Sequence, residues 1–194
     1  LLGRKIVARS KAKVAAHVSD TVMICNPWGM ARFMAERWPL LMAMGMPPPK
    51  RPQTPESRRQ MLRIDLSLHV DEPIATDGPL TLGDTVFPRL TVRHFAGHSP
   101  GGICLFVACE NGAGRLMLCG DTLLYPITPH PDDLVAYLRT LKTMKALDGV
   151  SLTLPAHGKA IRNLKGRLDA IEHHHERRLR LTYEACREPR SIWQ

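Results

Sequence analysis

Phe95-Ala96-Gly97-His98-Ser99-Pro100-Gly101-Gly102 is the stretch around which this chain is organised. A β-rich run enters it and an apolar run, residues 103–108, leaves it. Glycines and a proline on both sides of a histidine let the backbone bend sharply and hold the imidazole at a strand end. Twenty-three residues after His98 comes Asp121, in Cys119-Gly120-Asp121-Thr122, directly behind the apolar run 116–119. Thirty-six residues further comes His157, in Leu154-Pro155-Ala156-His157-Gly158, behind residues 150–154. The pattern of strand, Gly/Pro turn and ligand-type residue thus occurs three times. Two histidines and an aspartate at three strand ends are the residue types that a borderline divalent metal takes.

The bulk properties set the frame. A chain of 194 residues, 44% of them hydrophobic, suits one domain with a real core. The net charge of +9 is spread along the chain without dense basic runs, and aromatic content is only 5%. Such a surface is the ordinary solvated kind, although it also admits an anionic partner such as RNA. Five cysteines, an odd number without a CxxC pair, read as buried free thiols of a cytoplasmic protein. No apolar run approaches the roughly 20 residues of a membrane helix.

Taken in order, residues 1–10 read as the tail of a helix. Residues 13–17 read as a short buried strand, followed by Ser19 or Asp20 as a helix N-cap. Residues 21–46 carry six of the nine methionines and two of the three tryptophans. Pro27 and Pro39 are expected to break them into short helices. This stretch is either a helical cover on the core or an apolar lid over a pocket, since methionine adapts to irregular shapes. Residues 47–55 form an extended proline-rich loop, and 58–68 a further helix. Residues 80–82, 85–87 and 90–94 read as short strands. Residues 103–108 and 116–119 form a hairpin around a Gly/Asn-rich turn. Asp132 and Asp133 favour the positive end of a helix over 134–147, with an apolar stripe of Leu134, Leu138 and Leu141. A long helix over 162–187 should place Leu164, Leu168, Ile171 and Leu179 on one face. His173, His174 and His175 point about 100° apart on that helix, so they cannot converge on one ion and read as mostly solvated. His17, His94 and His130 read as structural or loop residues.

The three turns together resemble the metallo-β-lactamase superfamily of hydrolases. GHSPGG is similar to its Gly-His-(Ser/Thr)-Pro-Gly turn, CGDT to its Gly-Asp turn and LPAHG to its Pro-Gly/Ala-His-Gly turn, in the same order. The resemblance is densest over residues 77–186. It is nearest to the β-lactamase-like protein 2 type, through Leu-Leu-Tyr-Pro-Ile-Thr-Pro after the Gly-Asp turn and Arg162-Asn163-Leu164 before a histidine-rich helix. The fold it implies is α+β, a metallo-β-lactamase-like αββα sandwich. One single domain, partial, would span 1–194, with a helical Met/Trp-rich insertion at 21–55 and a C-terminal helix at 162–187.

The resemblance also implies a site. His98 would complete the histidine set of a first metal, Asp121 would bridge two metals as the candidate catalytic residue, and His157 would bind the second. The metals are usually zinc. The superfamily's His-x-His-x-Asp-His motif has no match in this sequence. The resemblance places that motif upstream of Leu1, so the chain reads as N-terminally truncated and is expected, as given, to bind metal weakly and turn over little. The implied function is a metal-dependent hydrolase of an ester, thioester or lactone. The alternatives are a single-stranded RNA endonuclease of the same superfamily and a non-catalytic fragment.

Overall fold

The computed structural model describes residues 2–50, 54–57, 68–110, 112 and 114–189. The expected helix over 58–68 therefore lies almost wholly outside the described residues. The elements are α1 (Leu2–Ser10), β1 (Ala15–His17), α2 (Val18–Cys25), α3 (Pro27–Ala43), β2 (Glu72–Ile74), β3 (Gly78–Leu82), β4 (Thr85–His94), β5 (Ile103–Ala108), β6 (Arg115–Gly120), α4 (Leu134–Lys145), β7 (Val150–Pro155) and α5 (Leu164–Ala185). They fall into two compact units. One comprises Leu1–Val14, Thr21–Asp71 and Arg180–Gln194; the other comprises Ala15–Asp20 and Glu72–Leu179.

The first unit is helical. Pro27 opens α3 at a position where its missing N–H costs nothing, and Pro39 lies inside the same 17-residue helix. The expected break at Pro39 does not occur. The segment of residues 68–71 ends in a reciprocal pair: Asp71 donates its amide to Val14 O (2.9 Å) and accepts from Val14 N through Oδ2 (2.8 Å).

The second unit carries the sheet. Five strands run in the order β3-β4-β5-β6-β7, antiparallel except for the parallel pair β6–β7, and β1 pairs with β2 in a separate parallel ladder. Strand β4 joins two segments that the sequence separates at Pro88. Leu80 faces Phe87 and the next residue back, Pro79, faces Thr91, so residues 88–90 bulge from the ladder. A proline without an amide proton fits such a bulge.

Alternation along the strands decides the core. Cys104 and Phe106 from β5, with Met117 and Cys119 from β6, point to one face. There they meet Tyr137, Leu141 and Met144 of α4 and Leu168 and Ile171 of α5. Each large apolar side chain among them contributes about 1.5–3 kcal/mol by leaving water. Burial pushes the Cys104 thiol well up and the Cys119 thiol up to about 11, so both are inert packing groups. Cys25 and Cys186, by contrast, are exposed, which corrects the expectation that the cysteines are buried: Cys25 ends α2 and Cys186 follows α5, and neither belongs to the sheet core.

Both helices are capped by their sequence. Asp133 Oδ1 accepts from Ala136 N (2.9 Å) at the start of α4, and Asn163 Oδ1 accepts from Gly166 N (2.9 Å) at the start of α5. Lys145 ties the two together through Asp169 (2.7 Å) and Glu172. These partners push its pKa up to about 12. The inward stripe of α5 continues from Leu164, Leu168 and Ile171 to His175, not to Leu179, which is 47% exposed. His173 and His174 are exposed, in keeping with a mostly solvated row, and His175 is the exception, which the 3.6-residue period carries under the helix. Among the described residues no helix is long and apolar enough to cross a membrane.

Burial lowers the His175 pKa below its ordinary 6.5, with His174, Arg178 and His130 adding repulsion. A depressed histidine pKa means that the unfolded chain takes up the proton first as pH falls. The stability due to neutral His175 is full above about pH 6.5 and is lost as the pH drops through the lower folded value. Urea midpoints measured with chelator in a phosphate-free buffer should therefore fall from pH 7 to pH 5, and His175→Leu should flatten that slope. An unchanged slope in the variant would contradict the assignment.

Candidate metal centre

The strand directions assemble the site. Strand β5 runs antiparallel to both β4 and β6, so β4 and β6 point the same way, and β7 runs parallel to β6. The C-terminal ends of β4, β6 and β7 therefore lie at one end of the sheet. The turns that follow them carry His98, Asp121 and His157.

The structure brings these three side chains together. His98 Nε2 lies 3.9 Å from Asp121 Oδ2, and His157 Nε2 lies 3.6 Å from Asp121 Oδ1. One carboxylate thus presents one oxygen to each imidazole. Asp121 Oδ1 is buried and has no hydrogen-bond partner among the described residues. A buried acceptor left without a donor is costly unless something else supplies positive charge. Two ligands about 2.0–2.2 Å from a shared tetrahedral ion stand about 3.4 Å apart, a few tenths of an ångström less than either gap here. The donor set and spacing fit an ion at either pair, with two ligands each. Among the described residues no group of three or more His, Cys, Asp or Glu is placed to hold one.

Several neighbours fix the site. His98 Nδ1 is 3.1 Å from His130 O. A carbonyl only accepts, so Nδ1 carries the proton, and Nε2 is the ring nitrogen that faces Asp121. The loop holding His130 is itself stitched to the His98 turn by Asp132 N to His98 O (3.3 Å) and Asp133 N to Gly97 O (3.0 Å). Gly97, at φ +130°, lies so close to α4 that a Cβ would sit on the Tyr137 backbone. Ala156 N donates to Gly120 O (2.9 Å), tying the Asp121 and His157 turns together. Arg167 donates to the carbonyls of Leu124 (2.7 Å) and Ile127 (2.6 Å), holding the chain that leaves Asp121.

Asp20, expected as a possible helix cap, does something else. It lies in the first turn of α2, accepts from Gly101 N through Oδ1 (2.7 Å) and accepts from Ser99 Oγ through Oδ2 (2.6 Å). A Cβ on Gly101 would come within 2.6 Å of Asp20 Cγ, so this glycine of the turn is required by the contact. A link across some eighty residues has no local pattern by which sequence reading could find it. His94 and His17 are structural, as read: their rings stack with centroids 3.9 Å apart, and His94 Nε2 donates to Pro100 O (2.8 Å). His173 donates Nδ1 to Asp169 O (3.0 Å) within its own helix.

The fold is that of metallo-β-lactamase proteins. A metallo-β-lactamase family protein from Thermus thermophilus superposes with a TM-score of 0.68 at 21% identity, over 94% of this chain and 58% of that one. A second solved structure, of a protein in a di-iron-bound form, superposes with a TM-score of 0.52 at 23% identity over 85% of this chain and 67% of its own. In sequence, a lactamase-like protein, nscB, of Trichophyton rubrum is 31% identical over 121 residues, which is 61% of this chain and 36% of that protein. The chain spans about a third of the length of that relative. No family model matches the chain. The metallo-β-lactamase-like fold that the resemblance implied is thus borne out, and the β-lactamase-like protein 2 type is not singled out by these likenesses.

Asp20→Ala should destabilise the chain by about 1.5–3 kcal/mol, the loss expected for hydrogen bonds to a charged group. In the same variant the Gly101 amide should exchange with deuterium at least about tenfold faster, since the loss falls on the turn itself. Unchanged protection of that amide would show that Asp20 does not hold the turn.

Proposed function

We propose that His98, Asp121 and His157 form the C-terminal part of a divalent metal centre in a hydrolase, and that the ion is zinc. The observation that carries this reading is the Asp121 carboxylate, one oxygen toward each of two imidazoles, with Oδ1 otherwise unpartnered among the described residues. The curated relative's lactamase-like description and the metallo-β-lactamase neighbours support hydrolysis. The di-iron form of one neighbour makes iron the competing metal. The proposed substrate is an ester, thioester or lactone.

In this reading the chain's own groups have separate tasks. His98, held through Nδ1 by the His130 carbonyl, presents Nε2 in a fixed direction. Asp121, half-buried, would offer one acceptor oxygen on the side of each histidine. His157, with a side chain 70% exposed, closes the outer edge of the centre. A bound divalent ion supplies a water of lowered pKa and an electrophile for the carbonyl oxygen. A zinc site takes at least three protein ligands, and each pair here provides two. One specific observation favours a second reading, a non-catalytic module: the lack, among the described residues, of any group of three ligand-type side chains around one point.

The test is zinc affinity of the 194-residue chain and two variants. Asp121→Ala removes the residue common to both pairs and should weaken zinc binding at least about tenfold, in line with the loss of a ligand. His174→Ala removes a histidine from the row on α5 and should leave it within about twofold. Equal effects would place the metal elsewhere and leave the non-catalytic module as the better reading.

A further inference from the structure

Beyond the strand ends, a cleft of about 380 Å³ lies between the loop of residues 128–131 and the outer part of α5. Its walls include His130, His174, His175 and Arg178, with Pro129 and Leu134 completing an apolar edge. Among the described residues no carboxylate lines it. Asp133 is engaged in capping α4, and Asp169 and Glu172 hold Lys145. Arg178 has no carboxylate partner among the described residues, although Arg180, two positions on, pairs with Glu184. His175 is buried, with 7% of its surface exposed, and its Nε2 has no hydrogen-bond partner among the described residues. Histidines set edge to face, His174 against His175 with centroids 5.4 Å apart, bring a second imidazole to the same wall.

A concave surface with donors from one guanidinium and three imidazoles, and with no acid to neutralise them, is suited to anionic oxygens. A metal does not suit it, because no three ligand-type groups converge there among the described residues. We propose that this cleft binds the phosphoryl or carboxylate group of a small ligand, with Arg178 as the principal charge and His174 and His175 as flanking donors. The inference does not depend on the hydrolase reading. It does, however, border that site, since His130, one of the residues lining the cleft, also holds His98 through its carbonyl.

Calorimetric titration of the chelator-treated 194-residue chain with inorganic phosphate, and separately with acetate, tests this. At least one of the two should bind saturably below about 10 mM, a weak but specific affinity. Arg178→Ala should weaken that binding at least about tenfold, as loss of a charge-assisted bidentate partner does. Arg177→Ala removes the same charge one position away, outside the cleft, and should change it less than about twofold. Both arginines are exposed, so both variants should fold, which circular dichroism checks. Stronger binding of phosphate would identify a phosphoryl ligand, and of acetate a carboxylate. Equal loss in the two variants would reduce the effect to diffuse attraction by the +9 chain and overturn the proposal. So would unchanged binding in Arg178→Ala, or no saturable binding of either anion.

Discussion

The direction of three strands governs everything functional in this structure. Because β5 reverses against both β4 and β6, and because α4 returns the chain so that β7 runs parallel to β6, three chain ends open at one edge of the sheet. A side chain on any one of those turns would be an ordinary surface residue. Placed together, His98 and His157 each come within 4 Å of the Asp121 carboxylate. The hydrophobic alternation of β5 and β6 enforces the arrangement, since slipping either strand by one residue would turn Cys104, Phe106, Met117 and Cys119 out of the core.

The turns themselves are held from outside the sheet. Asp20 holds the Ser99–Gly101 backbone, Tyr137 and Asp133 pack against Gly97, and Arg167 grips the carbonyls that follow Asp121. The His98 ring is oriented by a backbone carbonyl rather than by a carboxylate. These contacts explain why Gly97 and Gly101 occur where they do: each stands where a Cβ would strike a neighbouring element. A rigid frame around a half-buried carboxylate is what a metal-ligating edge needs, because ligand geometry must be set before the ion arrives.

Much of this was legible in the sequence. Residues 103–108 form the expected strand residue for residue, and the turns at His98, Asp121 and His157 follow strands as their Gly/Pro punctuation implies. Those features are local, and local signals survive folding. What could not be read was non-local or marginal. Asp20 reaches its partners across the whole β2–β4 segment. Pro39 inside α3 and Pro88 in the β4 bulge read as breaks because proline's cost is judged from neighbours, whereas a bulge or a surface helix can accommodate it. His175 was lost among three adjacent histidines, although counting forward from Leu164, Leu168 and Ile171 leads to it.

The central claim is that the strand-end carboxylate is the meeting point for metal. Anomalous diffraction at the zinc absorption edge, from crystals of the chain grown with zinc, addresses it most directly. The account predicts anomalous density within ligating distance of Asp121 and of His98, His157 or both. Density confined to other histidines, such as the row on α5, with Asp121 left without an ion, would contradict it.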